Sequence, residues 1–92
     1  MKDINYEHSI VKIAGNTCNT RKRFVEIVNG KRVIISSNNI NSRVGGSIIK
    51  VDDGTVVLVD GNVINSFTAT NKVDVTGSLV KDENNLVTDS FY

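Results

Sequence analysis

His8 and Cys18 are the only histidine and the only cysteine in the 92-residue chain. As a pair they would supply a nucleophile and its base, chemistry that needs a thiolate activated by a neighbouring imidazole. Neither stands in a recognisable catalytic signature, so Cys18 is read as a small, half-buried residue and His8 as a surface or strand residue. One cysteine allows no intrachain disulfide and no four-cysteine zinc site. Asp52-Asp53-Gly54 and Asp60-Gly61-Asn62 carry carboxylates of the kind that bind calcium. Their spacing matches neither the EF-hand loop nor the glycine-rich calcium repeat, and both are ordinary turn vocabulary. Gly45-Gly46 lacks the downstream lysine and hydroxyl residue of a phosphate loop. A single histidine near the terminus supports no Ser-His-Asp order. The expectation is a protein that is not an enzyme and needs neither cofactor nor metal.

The charged residues carry more. Arg21, Lys22, Arg23, Lys31, Arg32 and Arg43 form a basic region suited to an anionic ligand, nucleic acid or nucleotide, with Phe24 beside it to stack on a base. In a strand, Arg21 and Arg23 would share one face while Lys22 and Phe24 take the other, which splits the cluster. The halves of the chain have opposite sign: residues 1–46 carry a net +5 and residues 47–92 a net −4. Such asymmetry steers the basic half of one copy toward the acidic half of another. Asp52, Asp53, Asp60 and Asp74, with the aromatic end Phe91 and Tyr92, are the candidate self-association residues on the acidic side.

The elements that must position these residues are strands. Valine, isoleucine and threonine are frequent and proline is absent. Branched side chains favour a pleated surface over a helix. The nearest approach to a helix is Thr20–Val28, whose second half has strand composition. Asn29-Gly30 and Asp53-Gly54 each stand between β-rich runs, as in two-residue hairpins with type I′ turns. In that arrangement Val51 faces Val56 and Ile49 faces Leu58. A second pattern competes. Gly15, Gly30, Gly46, Gly61 and Gly77 recur at a nearly constant interval, the kind of period that marks stacked β-coils. The fold class is therefore all-β with little or no helix, either a short β-solenoid or a hairpin-built meander or small barrel. One domain spans residues 1–92, with 1–9 read as an N-terminal arm and 87–92 as a C-terminal cap or contact segment. Loops are expected at Asn16–Thr20, Ser36–Gly46, Ser66–Asn71 and Asp82–Asn85.

VDGNVINSFTATNKVDVTGSLV (Val59–Val80) resembles a segment of the bactofilins, polymer-forming cytoskeletal β-helix proteins in which a Gly-x-Val step, a Thr-Ala-Thr-like turn and a Val-x-Val strand recur in each coil. The resemblance covers about a quarter of the chain and extends more weakly over Arg43–Leu86. It implies head-to-tail stacking into filaments and carries over no catalytic residues. Bactofilin coils are usually a little longer than the repeat seen here.

The functional expectation is a structural or interaction protein that acts as a homo-oligomer, such as a phage-encoded assembly or accessory protein. The alternative is a small binding module that uses its basic half on nucleic acid, a nucleotide or a host protein. No apolar run approaches the length of a membrane span. The residue vocabulary and unpaired cysteine suggest the cytoplasm of a bacterium or an infected host cell.

Overall fold

The computed structural model describes the backbone of residues 3–5 and the whole of residues 10–89. His8, Phe91 and Tyr92 lie outside the described residues. Among the described residues ten strands follow one another, with no helix: β1 (Asp3–Asn5), β2 (Ile10–Ala14), β3 (Thr17–Thr20), β4 (Val25–Val28), β5 (Arg32–Ser36), β6 (Asn39–Ser42), β7 (Ile49–Asp60), β8 (Val63–Asn65), β9 (Val73–Glu83) and β10 (Leu86–Thr88).

Among the described residues all pairings are parallel, and each joins a strand to its counterpart one turn later in the chain. The chain thus winds a short β-solenoid with three sides. Side A stacks β1, β4 and the first halves of β7 and β9. Side B stacks β2, β5 and the second halves of β7 and β9. Side C stacks β3, β6, β8 and β10. Successive coils are nearly equal in length: Ile10 lies over Arg32, Arg32 over Val56, and Val56 over Leu79.

Alternation along each strand sends one set of side chains into the prism. The buried columns are Val11–Val33–Val57 and Ile35–Val59 from side B, Val25–Ile49 and Ile27–Val51 from side A, and Ile40–Ile64 from side C. Phe24 and Ile48 fill the corner between sides C and A, each at most 1 % exposed. These apolar columns supply the hydrophobic stabilisation, because each coil covers the open face of its neighbour.

The hairpin reading is not what forms. Val51 does not face Val56: it lies between Ile27 and Val75 on side A, while Val56 lies between Arg32 and Leu79 on side B. A type I′ turn needs positive φ at both central residues. Here only the first has it, with Asn29 at φ 59° and Asp53 at φ 56°, and neither Gly30 nor Gly54 does. The chain turns one corner and continues, so the strands do not fold back. Glycine is needed at this corner for space. A Cβ on Gly54 would stand 2.4 Å from Val57 Cγ2, and one on Gly77 would stand 2.2 Å from the Gly54 carbonyl oxygen.

The glycine period is also explained. Gly30, Gly54 and Gly77 stand at the corner between sides A and B, Gly15 and Gly61 at that between B and C, and Gly45 and Gly46 at that between C and A. The step from Gly15 to Gly30, or from Gly46 to Gly61, covers two of the three sides of the prism, so it is not the repeat itself. Three expected loops are partly strand: Thr17–Thr20 is β3, Asn39–Ser42 within Ser36–Gly46 is β6, and Asp82 and Glu83 end β9. All three are rich in polar residues, and parallel pairing with the coils beside them holds them extended.

Replacing Gly54 by Ala should destabilise the fold by about 1–3 kcal/mol, because the stiff, buried Val57 cannot retreat from the new methyl group. Gly45→Ala, with open space around its Cα, should stay within about 0.5 kcal/mol of the parent. Urea unfolding of the two variants measures the difference.

Candidate functional site

Side B turns into side C at the same place in every coil. Gly15, Ser37, Gly61 and Asn84 all have positive φ there, and each is followed by an asparagine: Asn16, Asn38, Asn62 and Asn85. The four amides form a ladder along the axis. Asn38 Oδ1 accepts the backbone N–H and the side-chain Nδ2 of Asn16, both at 3.0 Å. Asn62 Oδ1 accepts the same two groups of Asn38 at 3.0 and 2.9 Å, and Asn85 Oδ1 accepts those of Asn62 at 2.9 and 2.8 Å. Each later amide also donates backwards: Asn38 to the Ile13 carbonyl, Asn62 to that of Ile35 and Asn85 to that of Val59. Asn38 and Asn62 are 1 % exposed, so the ladder satisfies groups that burial would otherwise leave unpaired.

A second ladder runs along the outward-facing row of side C, exposed at Asn19 and buried at Asn65. Asn41 donates to Asn19, Asn65 donates to Asn41, and the Thr88 hydroxyl donates to Asn65. At the corner between C and A a hydroxyl column recurs. Thr20, Ser42 and Ser66 each accept the backbone N–H two residues on, from Lys22, Val44 and Thr68. Such side-chain turns are a familiar use of Ser and Thr.

The two ends of the prism differ in charge. The first coil, residues 1–24, carries Lys2, Lys12, Arg21, Lys22 and Arg23 against Asp3 and Glu7, a formal +3. The next coil, residues 25–48, is +2; residues 49–72 are −1; residues 73–89, with Asp74, Asp82, Glu83 and Asp89 against Lys81, are −3. Because chain order is axial order in a solenoid, the asymmetry of the sequence becomes a charge gradient along the axis. Among the described residues, β2 and β3 have no strand beyond them at the basic end, and β9 and β10 have none at the acidic end.

The last coil also changes the character of two interior columns. Ile13, Ile35 and Val59 are followed by Asp82. Phe24 and Ile48, joined by backbone hydrogen bonds to the coil after them, lead to Lys72, which pairs with Asp89. Val73, Val75 and Val80 are only half-buried, and Leu79, Leu86 and Val87 are exposed.

The residues singled out from the sequence are dispersed over this frame. Arg21, Lys22 and Arg43 share the corner between C and A, where Arg43 N–H donates to the Thr20 carbonyl at 3.0 Å. Arg21 and Arg43 line a shallow cavity of ≈ 240 Å³ with Asn19 and Thr20. Arg23 is engaged elsewhere, donating to the Ser47 carbonyl at 2.8 Å and pairing with Glu26. Lys31 and Arg32 sit at the corner between A and B beside Ile10, Thr55 and Val56. Phe24 is 1 % exposed and cannot stack on a base. It does not sit in a strand opposite Arg21 either, because residues 21–24 form the corner and β4 begins at Val25.

On the acidic side, Asp52 and Asp74 flank Lys50 at 3.6 and 3.7 Å. Asp60 accepts from Asn84 Nδ2 at 2.8 Å. Asp53 lies exposed at the corner between A and B. Of these four, only Asp74 belongs to the last coil. Asp53 and Asp60 stand at opposite ends of side B, so the two acidic turns do not converge. Cys18 is half-buried in the column completed by Ile40, Ile64 and Val87. Among the described residues no group of three His, Cys, Asp or Glu side chains could hold a metal ion, and no helix is long and apolar enough to cross a membrane.

The asparagine ladder and Asp82 were not anticipated from the sequence. The signal was the recurrence of asparagine at 16, 38, 62 and 85, which the more conspicuous glycines obscured. Comparison with protein-family models, with curated proteins and with solved structures finds no match.

Asn62→Ala should cost about 1–3 kcal/mol for each buried group it leaves unpaired, beginning with the Asn38 side-chain amide. Asn19→Ala, at the exposed end of the outer ladder, should cost less than about 1 kcal/mol. Chemical denaturation of both variants, with far-ultraviolet circular dichroism as the probe, separates the two ladders.

Proposed function

We propose that this protein is a non-enzymatic structural or interaction protein that associates with itself end to end, the basic first coil of one copy meeting the acidic last coil of the next. The observation that carries this reading is the charge gradient along the solenoid axis, from +3 over residues 1–24 to −3 over residues 73–89, between two ends whose outer strands have free edges among the described residues. A parallel edge is a template for a further parallel strand. Opposite charge orients the encounter and fixes its polarity more than it adds affinity. A head-to-tail contact that does not close produces filaments, and one that closes produces rings.

The resemblance to the bactofilins supports the same reading. Val59–Val80 runs from the end of side B, through sides C and A, and back into side B, so the matching segment amounts to one full coil. A cytoskeletal element and a phage assembly or accessory protein both fit an end-stacking solenoid acting in a cytoplasm.

A second reading is favoured by one observation, the convergence of Arg21 and Arg43 from successive coils beside Lys22. Two guanidinium groups at one corner suit a phosphate. In this reading the ligand is a phosphate-bearing polymer or nucleotide, and Lys31 and Arg32 take no part, being at another corner.

Sedimentation velocity on nuclease-treated protein tests the first reading. Association at low ionic strength that weakens steeply with added salt is expected. A monomer at high protein concentration in low salt would overturn it. For the second reading, fluorescence-detected binding of a labelled oligonucleotide should be lost on charge reversal of Arg21, Lys22 and Arg43 together and unchanged on reversal of Lys31 and Arg32.

A further inference from the structure

Each inner asparagine gives one side-chain N–H to the amide oxygen of the coil after it and another to a carbonyl of the coil before it. Asn85 keeps the backward bond, to the Val59 carbonyl at 2.9 Å. Its forward partner is different. In place of a further asparagine, Asn85 Nδ2 donates to Asp82 Oδ1 at 2.8 Å. At the other end, Asn16 Nδ2 donates to the Ala14 carbonyl of its own coil at 3.3 Å, where each later asparagine donates to a carbonyl of the preceding coil. Both terminal amides therefore use local substitutes for a coil that another copy would supply.

We infer that the end-to-end joint is a continuation of this ladder, with the Asn85 N–H and Nδ2 donating to Asn16 Oδ1 of the next copy, and that Asp82 is the stop that limits it. The inference rests on the end-stacking reading above. The ladder repeats by translation, so a second copy placed in register puts an amide oxygen where the Asp82 carboxylate now accepts. The same copy's Asn16 Nδ2 would reach the Asp82 backbone carbonyl, which is equivalent to Ile13, Ile35 and Val59 in the coils before. The remainder of the site favours closure by a coil of this kind. Val73, Val75 and Val80, half-buried, and Val87, exposed, present apolar surface at that end.

Asp82 opposes it in two ways. It occupies the forward position of the ladder, and it places a carboxylate in a column that is otherwise Ile13, Ile35 and Val59. Stacking would bury that charge unless the side chain swings out. An inward-pointing charge at a sheet edge is a recognised means of blocking edge-to-edge growth. The joint is accordingly reversible and length-limited, with its register set by amides and its extent by one carboxylate.

The test compares wild type, Asp82→Val, Asp82→Asn and Asn16→Ala by sedimentation velocity over a concentration series, with circular dichroism to confirm that each is folded. Asp82→Val restores the column residue. Asp82→Asn removes the charge but keeps an oxygen that can accept from Asn85, so it remains informative if the valine variant does not fold. Both should associate at concentrations at least tenfold lower than wild type and form longer species. Asn16→Ala should raise the concentration needed at least tenfold. Wild-type association that neither Asp82 variant alters would overturn the inference and leave end stacking standing. Monomers throughout would overturn both. A monomeric wild type beside associating Asp82 variants would support the stop and overturn self-assembly by the native chain.

Discussion

The amide ladder from Asn16 to Asn85, buried at Asn38 and Asn62, is the interaction on which the winding of this chain depends. A solenoid must bring every residue over its counterpart one turn later, and the apolar columns alone tolerate small slips because valine and isoleucine are similar in shape. An amide does not. Each must meet an oxygen ahead and a carbonyl behind at hydrogen-bond distance, with Asn38 and Asn62 sealed from water. An unmade bond there is expensive because solvent cannot replace it. The ladder therefore holds coils that differ slightly in length in a common register. The differences are absorbed elsewhere, notably at the irregularity between Val51 and Gly54.

Around that register the three corners use different chemistry. One needs positive φ before glycines that leave room for Val33 and Val57, one needs positive φ before the ladder, and one uses hydroxyls to close short turns. None of these devices demands a long-range partner. Each corner is a local solution repeated, and the repetition makes the hydrogen bonds between coils continuous. The same economy leaves two ends. A barrel removes its edges by closure, whereas a solenoid cannot, and the chemistry at its ends decides what the molecule can join.

That chemistry is polar in both senses of the word. The gradient of charge gives the axis a direction, and the ladder gives it a second direction, since the backbone N–H of Asn16, Asn38 and Asn62 points forward to the next amide oxygen and Asn38, Asn62 and Asn85 each bond back to a carbonyl of the preceding coil. Head-to-tail contact satisfies both; head-to-head contact opposes both. The charged residues Asp82 and Lys72 stand in the last coil at the ends of columns that are otherwise apolar, and in the proposed joint they are the groups a further coil would have to cover.

The sequence by itself determined that the chain is all-β, that it turns at Asn29, Asp53 and the regularly spaced glycines, and that its two halves are opposite in charge. Those properties are local or additive: side-chain branching, the tolerance of Asn, Asp and Gly for particular backbone angles, and a sum of formal charges. Only the tertiary structure decided whether Asn29-Gly30 and Asp53-Gly54 reverse the chain or merely bend it, because that depends on which strand lies next to Val51. It also separated Arg21 and Arg43 from Lys31 and Arg32, withdrew Phe24 into the core, and made strands of polar stretches that resemble loops when read alone. The asparagines at 16, 38, 62 and 85 were visible throughout, but isolated Asn residues suit turns anywhere. Their role exists only when parallel stacking sets one above another and excludes water between them.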